Sequence, residues 1–265
     1  MTVMEASVNI YFLTVSGLSA LVHYKSRGST GDLSDGRPSE TTGLVSLQWL
    51  YLPAHLLALF SDWLQGPYVY QLYRQYGYTE QDIAVLFMAG YLSSCLLGST
   101  TGPLADRYGR RTMGQVCCVI SILNCASKIS HNFYVLLVGR FLSGVSTSCL
   151  YSVFESWYVS EHQSRGLEMS LVSSTMALLT TFNSLLAISA GLVSDLMVRQ
   201  LDLPVLAPFL AAIPCLGLSC LVMSFWSENY GSQAPVLTNY RQGCMSSSLL
   251  CSALTGQLTV NYCQA

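Results

Sequence analysis

Long stretches without an ionisable side chain constrain this chain more than any other feature. Residues 6–24, 83–105, 169–194 and 203–227 contain no Asp, Glu, Lys or Arg, while 41–73 holds only Asp62 and 129–154 only Arg140. About 20 helical residues cross a hydrocarbon layer roughly 30 Å thick, so each stretch is long enough to span a bilayer. Residues 112–127 are shorter and reach that length only with their flanks. Seven transmembrane helices and an all-α membrane protein are therefore expected. A soluble bundle would need polar helix faces, which these segments lack. Only 10% of the residues are charged, against about 25% in a soluble domain.

The first stretch has two readings. A cleaved signal peptide would carry a basic leader, whereas Glu5 precedes the apolar run and Lys25 and Arg27 follow it. An uncleaved helix is the expectation. If that helix starts outside, Lys25, Arg27, Arg37, Arg107, Arg110, Arg111, Arg165 and Arg241 fall in inner segments, and only Arg74, Lys128 and Arg199 in outer loops. The excess of basic residues inside then places the amino terminus outside and the carboxyl terminus in the cytoplasm. The expected organisation is an extra helix at 1–24, a Gly/Ser/Thr-rich cytoplasmic linker at 25–43, a six-helix unit at 44–227 and a mostly disordered cytoplasmic tail at 228–265.

A net charge of −2, with no basic stripe, excludes a nucleic-acid partner. The ten cysteines show no C-x-x-C spacing, so they predict neither a metal site nor a disulfide framework; buried apolar thiols are the expectation. No phosphate-binding G-x-x-x-x-G-K-[ST] loop occurs, and no cofactor or enzymatic site is expected.

Two segments carry chemistry. Between the third and fourth stretches the chain reads GPLADRYGRR, from Gly102 to Arg111. Gly102 and Gly109 suit close helix approach and a tight turn, and Asp106 suits either a helix amino terminus or an ion pair with Arg107, Arg110 or Arg111. The plainer reading is a basic stop signal that fixes topology. Asp62, Gln65 and Val69 fall on one helical face, just before a Gly66-Pro67 pair that should kink or open the helix. Arg140 should lie about 10 Å inside the outer end of its helix. It either snorkels outward or serves a site, with Asp62 as its candidate partner. Glu155 has two readings as well, an interfacial acid beside Trp157 and Tyr158 or a partner for Arg110 or Arg111 across a cytoplasmic gate.

GPLADRYGRR matches the G-x-x-x-D-R-x-G-R-R signature of the major facilitator superfamily at every defined position, and LLVGRFLSG (136–144) resembles that superfamily's second motif, with Ser143 where glutamine is frequent. Together with DWLQGPYVYQLY, FYVLLVGRFLSGVSTS, FESWY, APFLAAIP and WSENYG, these segments resemble the eukaryotic molybdate-anion transporter branch of the superfamily, over about 49–231. The resemblance implies an extra leading helix followed by the six-helix amino-terminal half of a transporter, and a chain truncated before the second half. It implies a plasma-membrane protein and gradient-driven uptake of the molybdate oxyanion. Driving a dianion into an inside-negative cell against 100 mV costs about 4.6 kcal/mol, so coupling is required. Asp62 is then the candidate proton carrier, and Arg140 and Gln65 are the candidate oxyanion contacts. Gly102, Asp106, Arg107, Gly109, Arg110 and Arg111 would form the gate latch. The alternatives are a half-transporter that self-associates or binds and modulates a full-length relative, and a carrier for another small solute such as a sugar.

Overall fold

Apolar stretches and short polar punctuation alternate in the sequence, and helices and turns alternate in the fold. The computed structural model describes residues 38–231, with side chains from residue 42 onward. The expected helix at 1–24, most of the linker and the tail beyond 231 lie outside the described residues. The chain divides into two units after Gly43, and apart from residues 38–43 every feature discussed below lies in the second. Helix α1 (Pro38–Gln65) begins within the expected linker, with proline at its first position, where the missing N–H costs nothing. It is followed by α2 (Val69–Gln75), α3 (Glu80–Tyr108), α4 (Arg110–Ser127), α5 (Phe133–Ser164), α6 (Ser170–Asp195), which runs on as a π-helical turn over Leu196–Gln200, and α7 (Ala207–Met223).

The punctuation has local causes. Gly66 and Pro67 lie in a turn that separates α1 from α2, as the missing proline N–H requires. Thr79 caps α3 in a reciprocal box with Asp82, and the Asn132 side chain caps α5, each satisfying amides that the first helical turn leaves free. Gly109 joins α3 to α4 at φ +98°, a conformation side chains rarely adopt. Thr42–Gln65, Glu80–Tyr108, Phe133–Ser164 and Ser170–Gln200 are long and apolar enough to cross a membrane, while α7 is apolar but shorter.

Side-chain register gives the topology. Ser93 Oγ donates to the Phe141 carbonyl (2.9 Å), Ser94 bonds Ser148 (2.8 Å) and Thr101 bonds Ser152 (2.9 Å). Positions rise together along both helices, so α3 and α5 run parallel. Between α4 and α5, Ser121 meets Ser146 and a side chain at Gly139 would strike Ser127, so these two are antiparallel. Helix α7 is antiparallel to α4, through Gln115–Ser224 and Cys118–Ser219, and to α1, through Trp226–Leu50 and Ser219–Ala54. Successive long helices thus alternate in direction, and the α3–α4 turn shares one end of the bundle with the close of α7; that end is here called the gate end.

The α3–α5 seam is built of small residues. A Cβ at Gly144 would collide with the Ser93 hydroxyl and the Gly90 carbonyl and lie 2.9 Å from the Ser94 amide. In hydrocarbon, where apolar burial gives little drive, such close approach and hydroxyl bonding hold helices together. Met88, Leu92, Leu96, Leu218 and Leu221 face outward, an apolar surface suited to lipid or protein rather than water. Tyr51, Phe154, Trp157, Tyr158 and Trp226 fill the interior at the gate end, with Trp157 and Trp226 stacked at 3.9 Å.

Candidate functional site

A cavity of about 230 Å³ opens between α1, α3, α4 and α5, toward the end away from the gate. Asp62, Gln65 and Val69 line it from the α1–α2 region, Lys128 from the end of α4, and Arg140, Ser143 and Thr147 from α5. The helical face read from the spacing of Asp62, Gln65 and Val69 is therefore the cavity face. Arg140 does not reach outward. Its guanidinium carbon lies 4.2 Å from the Phe87 ring centroid and 5.4 Å from that of Tyr73, within cation–π range. Its Nε and one terminal nitrogen are buried without a hydrogen-bond partner.

Asp62 and Arg140 line the same cavity but form no ion pair. Among the described residues the ion pairs are Asp106–Arg110, Glu161–Arg165 and Asp195–Arg199. Lys128, assigned to an outer loop from sequence, is instead only 2% exposed. Its ammonium donates to Asn124 Oδ1 (2.6 Å) and to the Asn124 carbonyl (3.2 Å). Asn124 donates in turn to Gln65 Oε1 (3.2 Å), and Gln65 to the Ser61 carbonyl (3.1 Å). Tyr76 covers this corner by donating its hydroxyl to the Lys128 carbonyl. Burial raises the Tyr76 phenol above its ordinary value, so it stays a donor at neutral pH.

The second constellation is the loop at the gate end. Asp106 Oδ1 accepts from Arg110 Nε (3.0 Å) and Nη2 (2.7 Å), and Arg110 Nη1 donates to the Ser156 carbonyl (3.2 Å). The amino terminus of α4 is capped from across the fold. Glu228 Oε1 accepts from the Arg111 amide (2.9 Å), and Glu228 Oε2 accepts from the Thr112 amide (3.3 Å) and the Thr112 hydroxyl (2.6 Å). Gly109 makes room for this carboxylate, because a Cβ there would overlap it. The Arg110 amide donates to the Asn229 carbonyl and the Gly231 amide to the Asp106 carbonyl, 3.0 and 3.1 Å. Trp157 Nε1 donates to the Ser227 carbonyl (2.8 Å).

Two expectations change here, and one of the two readings of Glu155 falls away. Glu155 pairs with neither Arg110 nor Arg111: Asp106 and the Ser156 carbonyl take the first, while Arg111 donates its side chain to the Trp226 carbonyl (3.2 Å) and its amide to Glu228. Gly102 makes no close approach, since nothing among the described residues lies within 4 Å of a Cβ placed there. The segment 228–231, assigned to a disordered tail, is ordered against the gate loop. Arg107 is exposed, its guanidinium 5.5 Å from the Tyr108 ring.

Parallel small-residue seams, alternating helix directions and charged groups around an interior cavity define an all-α membrane protein of transporter architecture. A family model described as sugar transporters with 12 transmembrane segments matches residues 10–248, and the chain belongs to this family of the major facilitator superfamily. Among curated proteins it is 36% identical to a molybdate-anion transporter of Takifugu rubripes over 86% of this chain and 48% of the relative's length. It is 34% identical to the Danio rerio molybdate-anion transporter over 89% of this chain and 51% of that protein. The Xenopus tropicalis molybdate-anion transporter is 33% identical over 83% and 47%. The chain thus spans about half the length of the curated relatives it matches.

Proposed function

We propose that this chain contributes the amino-terminal, substrate-contacting half of a secondary carrier for molybdate or a closely similar oxyanion. The observation that carries the reading is the charge inventory of the cavity: Lys128 and Arg140 line it against the single carboxylate of Asp62, and neither cation is neutralised by an ion pair. An arginine with two buried, unpaired nitrogens is costly in hydrocarbon. An oxyanion supplies the acceptors it lacks, and the planar guanidinium suits two oxygens at once. Gln65 from α1 and Ser143 and Thr147 from α5 add neutral polar groups to the lining. The names of the relatives support the oxyanion.

In this reading Asp62 carries the coupling proton, because a dianion entering an inside-negative compartment needs compensating charge. Asp106, with Gly109, Arg110 and Arg111, forms the latch at the cytoplasmic end. The basic cluster of that loop supports an inner side there, and in this reading the amino terminus lies outside and the carboxyl terminus in the cytoplasm, with the plasma membrane as the membrane crossed. Alternating access in this superfamily rocks two halves about a site near the midplane. Transport then requires the second half, supplied by further sequence or by another chain.

The test is molybdate accumulation in cells lacking their own molybdate carrier, producing this chain alone or together with the remaining half of the pufferfish relative. Saturable uptake only in the joint case is expected; hexose uptake without molybdate uptake would refute the oxyanion reading. Uptake by this chain alone, at the level of a full-length relative, would refute the requirement for a second half. A sugar carrier is the second reading, favoured by the description of the family model.

A further inference from the structure

We propose that Lys128 contacts the substrate directly and sets a preference for divalent over monovalent tetrahedral oxyanions. The inference rests on the oxyanion reading of the cavity and adds to it a residue that neither the superfamily motifs nor the helical pattern singles out.

Lys128 directly follows the last residue of α4, a position from which a lysine ordinarily extends its stem to the membrane surface. Here it turns inward and is 2% exposed. Its ammonium is fixed by two bonds to Asn124 and lies 5.4 Å from the Phe209 ring centroid of α7. Those two bonds use two of its three hydrogens, and no acceptor for the third occurs among the described residues. The residue lines the cavity together with Arg140 and Asp62. Capping the end of α4 does not account for a buried charge, because a neutral donor would serve the same carbonyl without the desolvation cost. An ammonium held in place by neutral groups, with no carboxylate in ion-pair range among the described residues, has no fixed counter-ion and is open to an anionic ligand.

Charge selectivity follows from Coulomb's law. At a fixed distance a dianion gains twice the energy of a monoanion from one added cation. Loss of that cation therefore weakens the dianion by about the square of the factor it costs the monoanion. A tenfold loss for perchlorate implies about a hundredfold loss for molybdate. Arg140 acts by the same law, but its aromatic contacts on Phe87 and Tyr73 already engage its faces, whereas the Lys128 anchor can be changed one atom at a time through Asn124.

The experiment measures equilibrium binding of sodium molybdate and of sodium perchlorate to the full chain in nanodiscs at constant ionic strength. Lys128→Met should weaken molybdate by about the square of its effect on perchlorate, and Lys128→Arg should keep most of the divalent preference. Asn124→Asp places a fixed carboxylate against the ammonium and should erase the preference while leaving the lysine present; this variant decides the matter if Lys128→Met does not fold. Equal losses for both anions in Lys128→Met, or an intact preference in Asn124→Asp, would overturn the role of Lys128 while leaving the oxyanion cavity standing. Absence of binding of either anion by the unsubstituted chain would overturn both.

Discussion

Replacing Glu228 by alanine should release the amino terminus of α4. The carboxylate accepts from two backbone amides and one hydroxyl, those of Arg111 and Thr112, and the residue at the junction, Gly109, offers no side-chain cap. Loss of a capping side chain costs about 1 kcal/mol, and loss of a negative charge at a helix amino terminus adds about 0.3–1 kcal/mol. The Thr112 hydroxyl bond is charge-assisted but exposed, so it adds little. The expected total is about 1.5–2 kcal/mol of local stability, or a ten- to thirtyfold rise in opening. Hydrogen exchange followed by mass spectrometry on peptides covering the α3–α4 junction reads that opening directly, with peptides from the middle of α5 as the internal reference. Glu228→Gln keeps one acceptor oxygen but replaces the other with a donor amide and removes the charge, and should fall between the two. Unchanged exchange at Arg111 and Thr112 in Glu228→Ala would refute the reasoning, as would a Gln variant as open as the Ala variant.

Gly144→Ala should force α3 and α5 apart, because the added methyl meets the Gly90 carbonyl and the Ser93 hydroxyl. Overpacking of this kind costs about 1–3 kcal/mol, visible as a lower midpoint in detergent-mixture unfolding, whereas Gly191→Ala, where the space is open, should leave the midpoint in place. Asp106→Asn should change stability by less than about 1 kcal/mol, since its ion pair with Arg110 is partly exposed. It should nevertheless alter the accessibility to thiol reagents of a cysteine introduced at the gate end, and an unchanged labelling rate would reduce the loop to a topology signal.

The helices were legible because membrane burial forbids charge over a whole span, so the absence of Asp, Glu, Lys and Arg marks each segment. The turn at Gly66-Pro67, the left-handed junction at Gly109 and the shared face of Asp62, Gln65 and Val69 were legible for equally local reasons. Lys128 was not. It lies at the edge of a stretch, where a lysine reads as interfacial, and its burial depends on Phe209 and Tyr76, which come from other parts of the chain. Glu228 was also hidden, because a cap supplied from a distance of 117 residues leaves no spacing signal. Of the two readings of Glu155, pairing with the gate arginines fails by competition: Asp106 and two backbone carbonyls take the guanidinium groups, and Glu228 takes the Arg111 amide.

The claim that the cavity is an oxyanion site is tested most directly by competition. Radiolabelled molybdate is bound to the purified chain in nanodiscs and challenged with tungstate or glucose, for the unsubstituted chain and for Arg140→Ala and Arg140→Lys. The account predicts saturable binding that tungstate displaces and glucose does not, lost in Arg140→Ala and partly kept in Arg140→Lys, where a point charge replaces the planar fork. Binding displaced by glucose, or molybdate affinity unchanged in Arg140→Ala, would contradict it.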